Sequence, residues 1–292
     1  MLSPTLFNIY TEIIFREIDN CKGITIGGIN ITNLRYADDT VLLAESEEEL
    51  QSIVNKVNAA GKKYNMKMNS KKTKTMVMSK KEIKPTIHIY IDETCTEQVQ
   101  QFIYLGQRFT NDARCDAEIA RRIEIARSAF RKMNSILTTR RNSIGTRKRL
   151  LKCYVWSTLL YGAETWTISQ KMNKRLEAFE MWSYRRMLRI SWTKKVSNKE
   201  VLQVIHAKRS LIRLIRTKKL KYFGHMIRQD KIQRALLEGK INAKRGRGRP
   251  RVNWTTNIKD WSGKSYAAAV RTAQQRDDWR TIASNPRMED GT

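Results

Sequence analysis

Between residues 121 and 251 the chain carries 36 Lys and Arg against 7 Asp and Glu, and that surplus of 29 equals the formal charge of the whole protein. The rest of the sequence is balanced, with 21 basic and 21 acidic residues. Charge of one sign at this density repels itself. The block can fold only with its basic side chains in water around an apolar face, and it calls for a polyanionic partner. Its apolar residues keep helical spacing. Ile119, Ile123, Ala126, Phe130, Met133 and Leu137 form one series, followed by Leu150, Leu151, Tyr154, Val155 and Leu159 behind a cap at Thr146. Leu176, Phe179 and Leu188 follow behind Ser169, and Leu211, Leu214, Ile215 and Phe223 close the series. Nucleic acid fits such a block best. An anionic membrane surface would ask for one continuous basic helix with a clean apolar face, which the block lacks. Tyr154, Trp156, Trp182, Tyr184 and Trp192 lie among the charges, where they either stack bases or form helix cores.

The first 110 residues follow a different period. Ser3 as N-cap and Pro4 at the first helical position open a helix to about residue 18, with Leu6, Ile9, Tyr10, Ile13 and Ile14 on its buried face. Ile24–Ile26 and Ile29–Ile31 flank Gly27-Gly28, a two-residue hairpin signal. Leu34–Tyr36 and Val41–Leu43 flank Ala37-Asp38-Asp39, a second hairpin whose turn holds two carboxylates. Ser46 with Glu49 reads as a capping box for a helix burying Leu50, Ile53, Val54, Val57 and Tyr64. Met66–Met68, Thr73–Met78, Ile87–Ile91 and Phe102–Leu105 read as short strands. The fold class is therefore α+β, with mixed short strands and helices first and a helical, basic region after them.

No run of about 18 uncharged apolar residues spans a bilayer, and the N-terminus lacks the layout of a signal peptide. Cys21, Cys95, Cys115 and Cys153 are widely spaced and only three His occur, which leaves a Cys/His zinc site without support. These features point to a reducing, intracellular setting, nuclear or cytoplasmic.

Tyr36-Ala37-Asp38-Asp39 is the most informative stretch. Adjacent carboxylates in a tight turn repel each other unless a cation sits beside them, and Mg²⁺ prefers such oxygens; the plainer alternative is an acidic surface turn. The motif and its setting resemble the active-site segment of reverse transcriptases of the non-LTR (LINE-type) retrotransposon branch. Leu2-Ser3-Pro4-Thr5-Leu6-Phe7-Asn8-Ile9-Tyr10 resembles the template-contacting helix start before it. Asn69-Ser70-Lys71-Lys72-Thr73 resembles the motif after it, and Phe102-Ile103-Tyr104-Leu105-Gly106 is similar to the primer-grip hairpin. The stretch Leu160-Tyr161-Gly162-Ala163-Glu164-Thr165-Trp166 looks like the region downstream of the palm.

The resemblance implies RNA-directed DNA synthesis through two Mg²⁺ ions. Asp38 and Asp39 would be catalytic metal ligands, and Lys72 would lie near the incoming deoxynucleotide triphosphate. Tyr36, Phe102, Tyr104, Gly106, Ser3 and Pro4 would contact primer and template. It implies a partial palm over 1–110, a helical thumb-like basic region over 111–240, a Gly/Arg linker over 241–252 and a small helical unit over 253–292. The family's further catalytic Asp lies upstream of the Ser-Pro helix, where this sequence has only Met1 and Leu2, so the chain alone is expected not to polymerise. The alternative is a non-catalytic nucleic-acid-binding remnant using residues 121–251. Within that block, Arg245, Arg247, Arg249 and Arg251 form a basic run, and Arg247-Gly248-Arg249-Pro250 is identical to the core of an AT-hook, a minor-groove element.

Overall fold

The computed structural model describes residues 2–79, 83–229, 232–239 and 252–287, without the side chain of Trp192. It is a mixture of helices and short strands, α+β in class, and divides into two units. Of the described residues, 2–114 with 232–239 form the first and 115–229 with 252–287 the second.

In the first unit, α1 (Ser3–Arg16) packs on α2 (Glu47–Lys63) through Ile14, Phe15, Ile53, Val57 and Ala60. The start of α1 differs from expectation. Leu2 holds the N-cap position, Ser3 is already helical, and no side chain caps the end. Its buried face differs too. Thr11, Ile14 and Phe15 are buried, whereas Leu6 and Ile9 are each 60% exposed and Tyr10 and Ile13 are also open to solvent. The apolar residues of α1 span more than one side of the helix, and α2 covers only one.

Helix α2 is capped by Ser46, whose side chain accepts from the Glu49 N–H at 3.2 Å. The reciprocal arm of a capping box is displaced, because the Glu49 carboxylate takes the N–H of Glu45 and the ammonium of Lys22. Strands β1 (Ile24–Ile26) and β2 (Ile29–Ile31) pair around Gly27 and Gly28, both at positive φ as a type I′ turn requires. Strands β3 (Asn33–Tyr36) and β4 (Asp39–Leu42) form the second hairpin.

Beyond α2 the strands are shorter than their sequence suggests. Met66–Met68 is irregular. β5 (Lys74–Thr75) pairs in parallel with β8 (Glu97–Gln98), β6 (Tyr90–Ile91) pairs with β7 (Thr94–Cys95), and β9 (Gln101–Tyr104) pairs with β10 (Gln107–Thr110). Among the described residues every sheet has two strands. An apolar run without a neighbour on its second edge has no ladder to extend, which keeps these strands at two to four residues.

The second unit is helical and closes around a continuous core. Helix α3 (Asp116–Lys132) buries Ile119, Ile123, Ala126 and Phe130 and leads into α4 (Asn134–Thr138). Ser143, not Thr146, caps α5 (Ile144–Leu150), because its hydroxyl accepts from the Thr146 N–H. The helix continues as a π-helical turn over Leu151–Trp156 and ends in α6 (Ser157–Leu159). Ser169 caps α7 (Gln170–Leu188) as its position suggests, and α8 (Asn198–Val204) and α9 (Leu211–Ile227) follow. Helix α10 (Ile232–Leu237) belongs to the first unit, where it packs on β1.

The C-terminal helices α11 (Trp254–Ser262), α12 (Tyr266–Gln274) and α13 (Arg276–Ser284) all pack on α9 and share its core. Hydrogen bonds fasten them there. Trp279 Nε1 donates to Leu220 O at 2.7 Å, Arg228 to Ala273 O at 2.7 Å, and Trp254 Nε1 to Glu164 O at 2.9 Å. Asn257 clasps the backbone of Ile168 by donating to its carbonyl and accepting from its N–H. No helix among the described residues is long and apolar enough to cross a membrane.

Candidate active site

The β3–β4 hairpin turns on two residues, Ala37 and Asp38, because Tyr36 pairs directly with Asp39. The turn therefore holds one of the two carboxylates, and the second opens strand β4. Ala37 sits at φ 52°, a left-handed conformation that costs a non-glycine residue about 1 kcal/mol or more. This sharp reversal lifts Tyr36, Asp38 and Asp39 into solvent.

Arg35 anchors the hairpin, and sequence reasoning took it only as a strand residue. Its guanidinium donates to Glu12 of α1 at 2.7 Å and lies 4.7 Å from the centre of the Phe15 ring. The hydrogen bond and charge of Arg35 hold the Glu12 carboxyl below its ordinary pKa. The available signal was a single cation between Leu34 and Tyr36, next to an acidic turn and opposite a helix with an acid on its neighbouring face.

The β9–β10 hairpin reaches the same place. Leu105 and Gly106 form its turn, both at positive φ. The Tyr104 hydroxyl donates to the backbone carbonyl of Asp39 at 3.3 Å. Burial first, and the Asp39 charge second, push the Tyr104 phenol up, so it stays a donor at neutral pH. Phe102 is exposed and pairs across the hairpin with Phe109.

Asn69 builds the turn before β5. Its side-chain oxygen accepts from the Lys72 N–H at 3.0 Å, and its carbonyl accepts from the Thr73 N–H and hydroxyl. Asn69 and Thr73 are thus accounted for by turn chemistry. Lys72 stands exposed on this turn, and among the described residues no ion pair joins its ammonium to Asp38 or Asp39. Ser3 and Pro4 lie in the exposed first turn of α1.

The structure thus brings Tyr104 to Asp39, on the hairpin that carries Tyr36 and Asp38, while among the described residues no ion pair joins Lys72 to the two acids and Ser3 and Pro4 lie apart in the first turn of α1. The carboxylates are hard oxygen donors suited to Mg²⁺. Yet among the described residues no group of three or more His, Cys, Asp or Glu is placed to hold a metal ion. Two adjacent acids on an exposed turn do not complete a metal site.

Residues 1–109 match the family model described as reverse transcriptase (RNA-dependent DNA polymerase). A retrovirus-related Pol polyprotein from the type-1 retrotransposable element R2 of Nasonia vitripennis is 33% identical over 91 residues, which cover 30% of this chain and 9% of that protein. Residues 1–109 are thus similar to reverse transcriptases of the retrotransposon type. A likeness to a transposon-derived protein extends past the matched residues. That protein, of Caenorhabditis elegans, is 28% identical over 279 residues, covering 88% of this chain and 96% of the relative.

In the basic block the aromatics divide. Trp156 and Tyr184 are buried in the core, Trp182 is half-buried, and Tyr154 is exposed. Arg245, Arg247, Arg249 and Arg251 lie outside the described residues.

Proposed function

We propose that the chain is a segment of an RNA-directed DNA polymerase that binds an RNA template and a DNA primer or target, and that alone it does not extend the primer. The observation that carries this is the bond from Tyr104 to Asp39, which sets the primer-grip-like hairpin against the carboxylate turn. On this basis Asp38 and Asp39 are the acids of the polymerising centre, and Lys72 serves the incoming nucleotide. Tyr36, Phe102, Tyr104 and Gly106, with Ser3 and Pro4, hold primer and template. Residues 1–110 form part of a palm, 111–240 a basic thumb-like region, 241–252 a linker carrying Arg245, Arg247, Arg249 and Arg251, and 253–292 a C-terminal helical part. Its place of work is inside the cell, nuclear or cytoplasmic, where its nucleic-acid partners are.

The donor set explains the predicted inactivity. Phosphoryl transfer of this kind depends on preorganised charge, and among the described residues no third acid joins the two exposed carboxylates to supply it. No chemical step is therefore assigned to this chain alone. A second reading, a nucleic-acid-binding remnant, is favoured by the second unit, whose closed core leaves most basic residues on the surface.

A labelled RNA–DNA primer-template titrated with purified chain, with Mg²⁺ and nucleotides, tests both. Binding should weaken with salt, the log–log slope being about 0.9 per neutralised phosphate. No extension should appear. Extension that Asp38→Ala abolishes would overturn the inactivity, and absence of binding would overturn the proposal as a whole.

A further inference from the structure

In the second unit a cleft of about 450 Å³ opens beside the π-helical turn 151–156, with α9 as its far wall. Trp156, Tyr161 and Leu214 line it together with Lys152, Lys218 and Glu164. Such π-helical turns concentrate at functional sites, because the i→i+5 bond displaces side chains from the regular helix surface.

Three features distinguish this cleft. Trp156 is 1% exposed, and its buried Nε1–H has no hydrogen-bond partner among the described residues. A buried donor left unmet costs about 1–3 kcal/mol, so a wall that keeps one needs a reason. Tyr161 is 51% exposed yet firmly mounted. The Arg122 guanidinium lies 4.5 Å from its ring centre and is itself buried and fixed by Glu118 at 2.6 Å. Finally, two ammonium groups flank the aromatic wall. Lys152 is exposed, and Lys218 is half-buried and paired with Glu164 at 3.3 Å.

We propose that this cleft binds one unpaired nucleotide of a single-stranded nucleic acid. The base packs against Tyr161 and the apolar side of the cleft at Leu214, and the phosphate lies between Lys152 and Lys218. Glu164, on the wall of the cleft, offers an acceptor for the edge of the base. A paired base inside a duplex keeps both faces stacked and does not enter. The proposal rests on the reading that the basic block binds nucleic acid. A free mononucleotide presents the same chemistry, and the test separates the two.

The full chain is irradiated with a labelled single-stranded oligonucleotide carrying one photoreactive thiouracil, and the adduct is mapped after trypsin digestion. The adduct should fall in the peptide Cys153–Lys171, which holds both Trp156 and Tyr161. Tyr161→Ala should weaken single-strand binding about tenfold and leave duplex binding unchanged, whereas Tyr161→Phe should bind as the parent does. Lys152→Ala should lower the salt slope by about 1. A chain that binds nucleic acid but gives no adduct in this peptide, with Tyr161→Ala folded and binding normally, overturns the cleft alone. Failure to bind any nucleic acid overturns the parent reading with it. Loss of the adduct to adenosine monophosphate, at an equal concentration of nucleotide, would overturn the strand in favour of the free nucleotide.

Discussion

Gly224→Ala should destabilise the second unit although it replaces glycine inside a helix. In an open helix interior that exchange gains about 1 kcal/mol. Here a Cβ on residue 224 would lie 2.2 Å from Cδ1 and 2.6 Å from Nε1 of Trp279. The indole would have to retreat by more than about 1 Å to reach an ordinary carbon contact of ~3.5 Å. Trp279 is buried, packs on Phe223 with ring centres 5.2 Å apart, and donates to Leu220 O at 2.7 Å. Overpacking costs about 1–3 kcal/mol, and a buried indole N–H without its acceptor costs a similar amount. Set against the helix gain, the net loss is about 1–5 kcal/mol. In a unit of this size the melting temperature falls by about 3 °C for each kcal/mol lost. Thermal unfolding followed by tryptophan fluorescence measures it. In a Trp279→Leu background the same Gly224→Ala exchange should turn stabilising, by up to about 1 kcal/mol. A higher melting temperature for Gly224→Ala in the parent chain would refute the close approach of α13 to α9.

Two further outcomes follow from buried charge and exposed apolar surface. Lys219 is fully buried, donates to Trp166 O and Asn257 Oδ1, and lies over the rings of Trp254 and Trp261; burial lowers its pKa to about 7. The unfolded chain holds this proton up to about pH 10.4, so stability should rise with pH between 7 and 10, at no more than ~1.4 kcal/mol per unit. Lys219→Met should flatten that rise in urea titrations, and parallel profiles for the two proteins would sink the assignment. Ile9→Lys should reduce self-association in light scattering while shifting stability by less than about 0.5 kcal/mol, because Ile9 is exposed on α1; a large loss of stability would mean that Ile9 is buried.

Local chemistry was the legible part. Gly27-Gly28 and the caps at Ser46 and Ser169 form where the sequence places them, since each is decided by residues within one turn. The helices of the basic block were legible for the same reason, as Ile119, Ile123 and Phe130 repeat on one face and are buried. Burial of α1 was not. Its apolar residues continue past a single face, and only the partner helix decides that Ile14 and Phe15 go inside while Leu6 and Ile9 stay out. Asp38 and Asp39 were legible as a pair in a turn. That Asp39 belongs to the strand depends on which residue faces Tyr36, a matter of register that alternation alone leaves open. Lys219 and Arg35 were missed because a lone cation in a basic or polar stretch looks solvated. The rings and carbonyls that take up Lys219 come from residues 35 to 53 positions away, and the acid that takes up Arg35 is 23 away.

The exposed carboxylates and the exposed face of α1 have a common origin. In the first unit each sheet among the described residues stops at two strands, so the hairpin bearing Asp38 and Asp39 is steadied on α1 by Arg35 and on β9–β10 by Tyr104 rather than by a continuous sheet. Catalysis by paired carboxylates needs its donors held within fractions of an ångström, and a two-stranded hairpin holds them less rigidly than a continuous sheet, which supports the proposal that the chain alone does not extend a primer. Binding makes a smaller demand. Phosphate contacts need only basic side chains on a stable frame, and the second unit supplies one, since α9 is packed by α7 and by all three C-terminal helices. Nucleic-acid binding should therefore survive changes at Asp38 that would end any polymerase activity. It should fail when the core around Phe223 and Trp279 is opened.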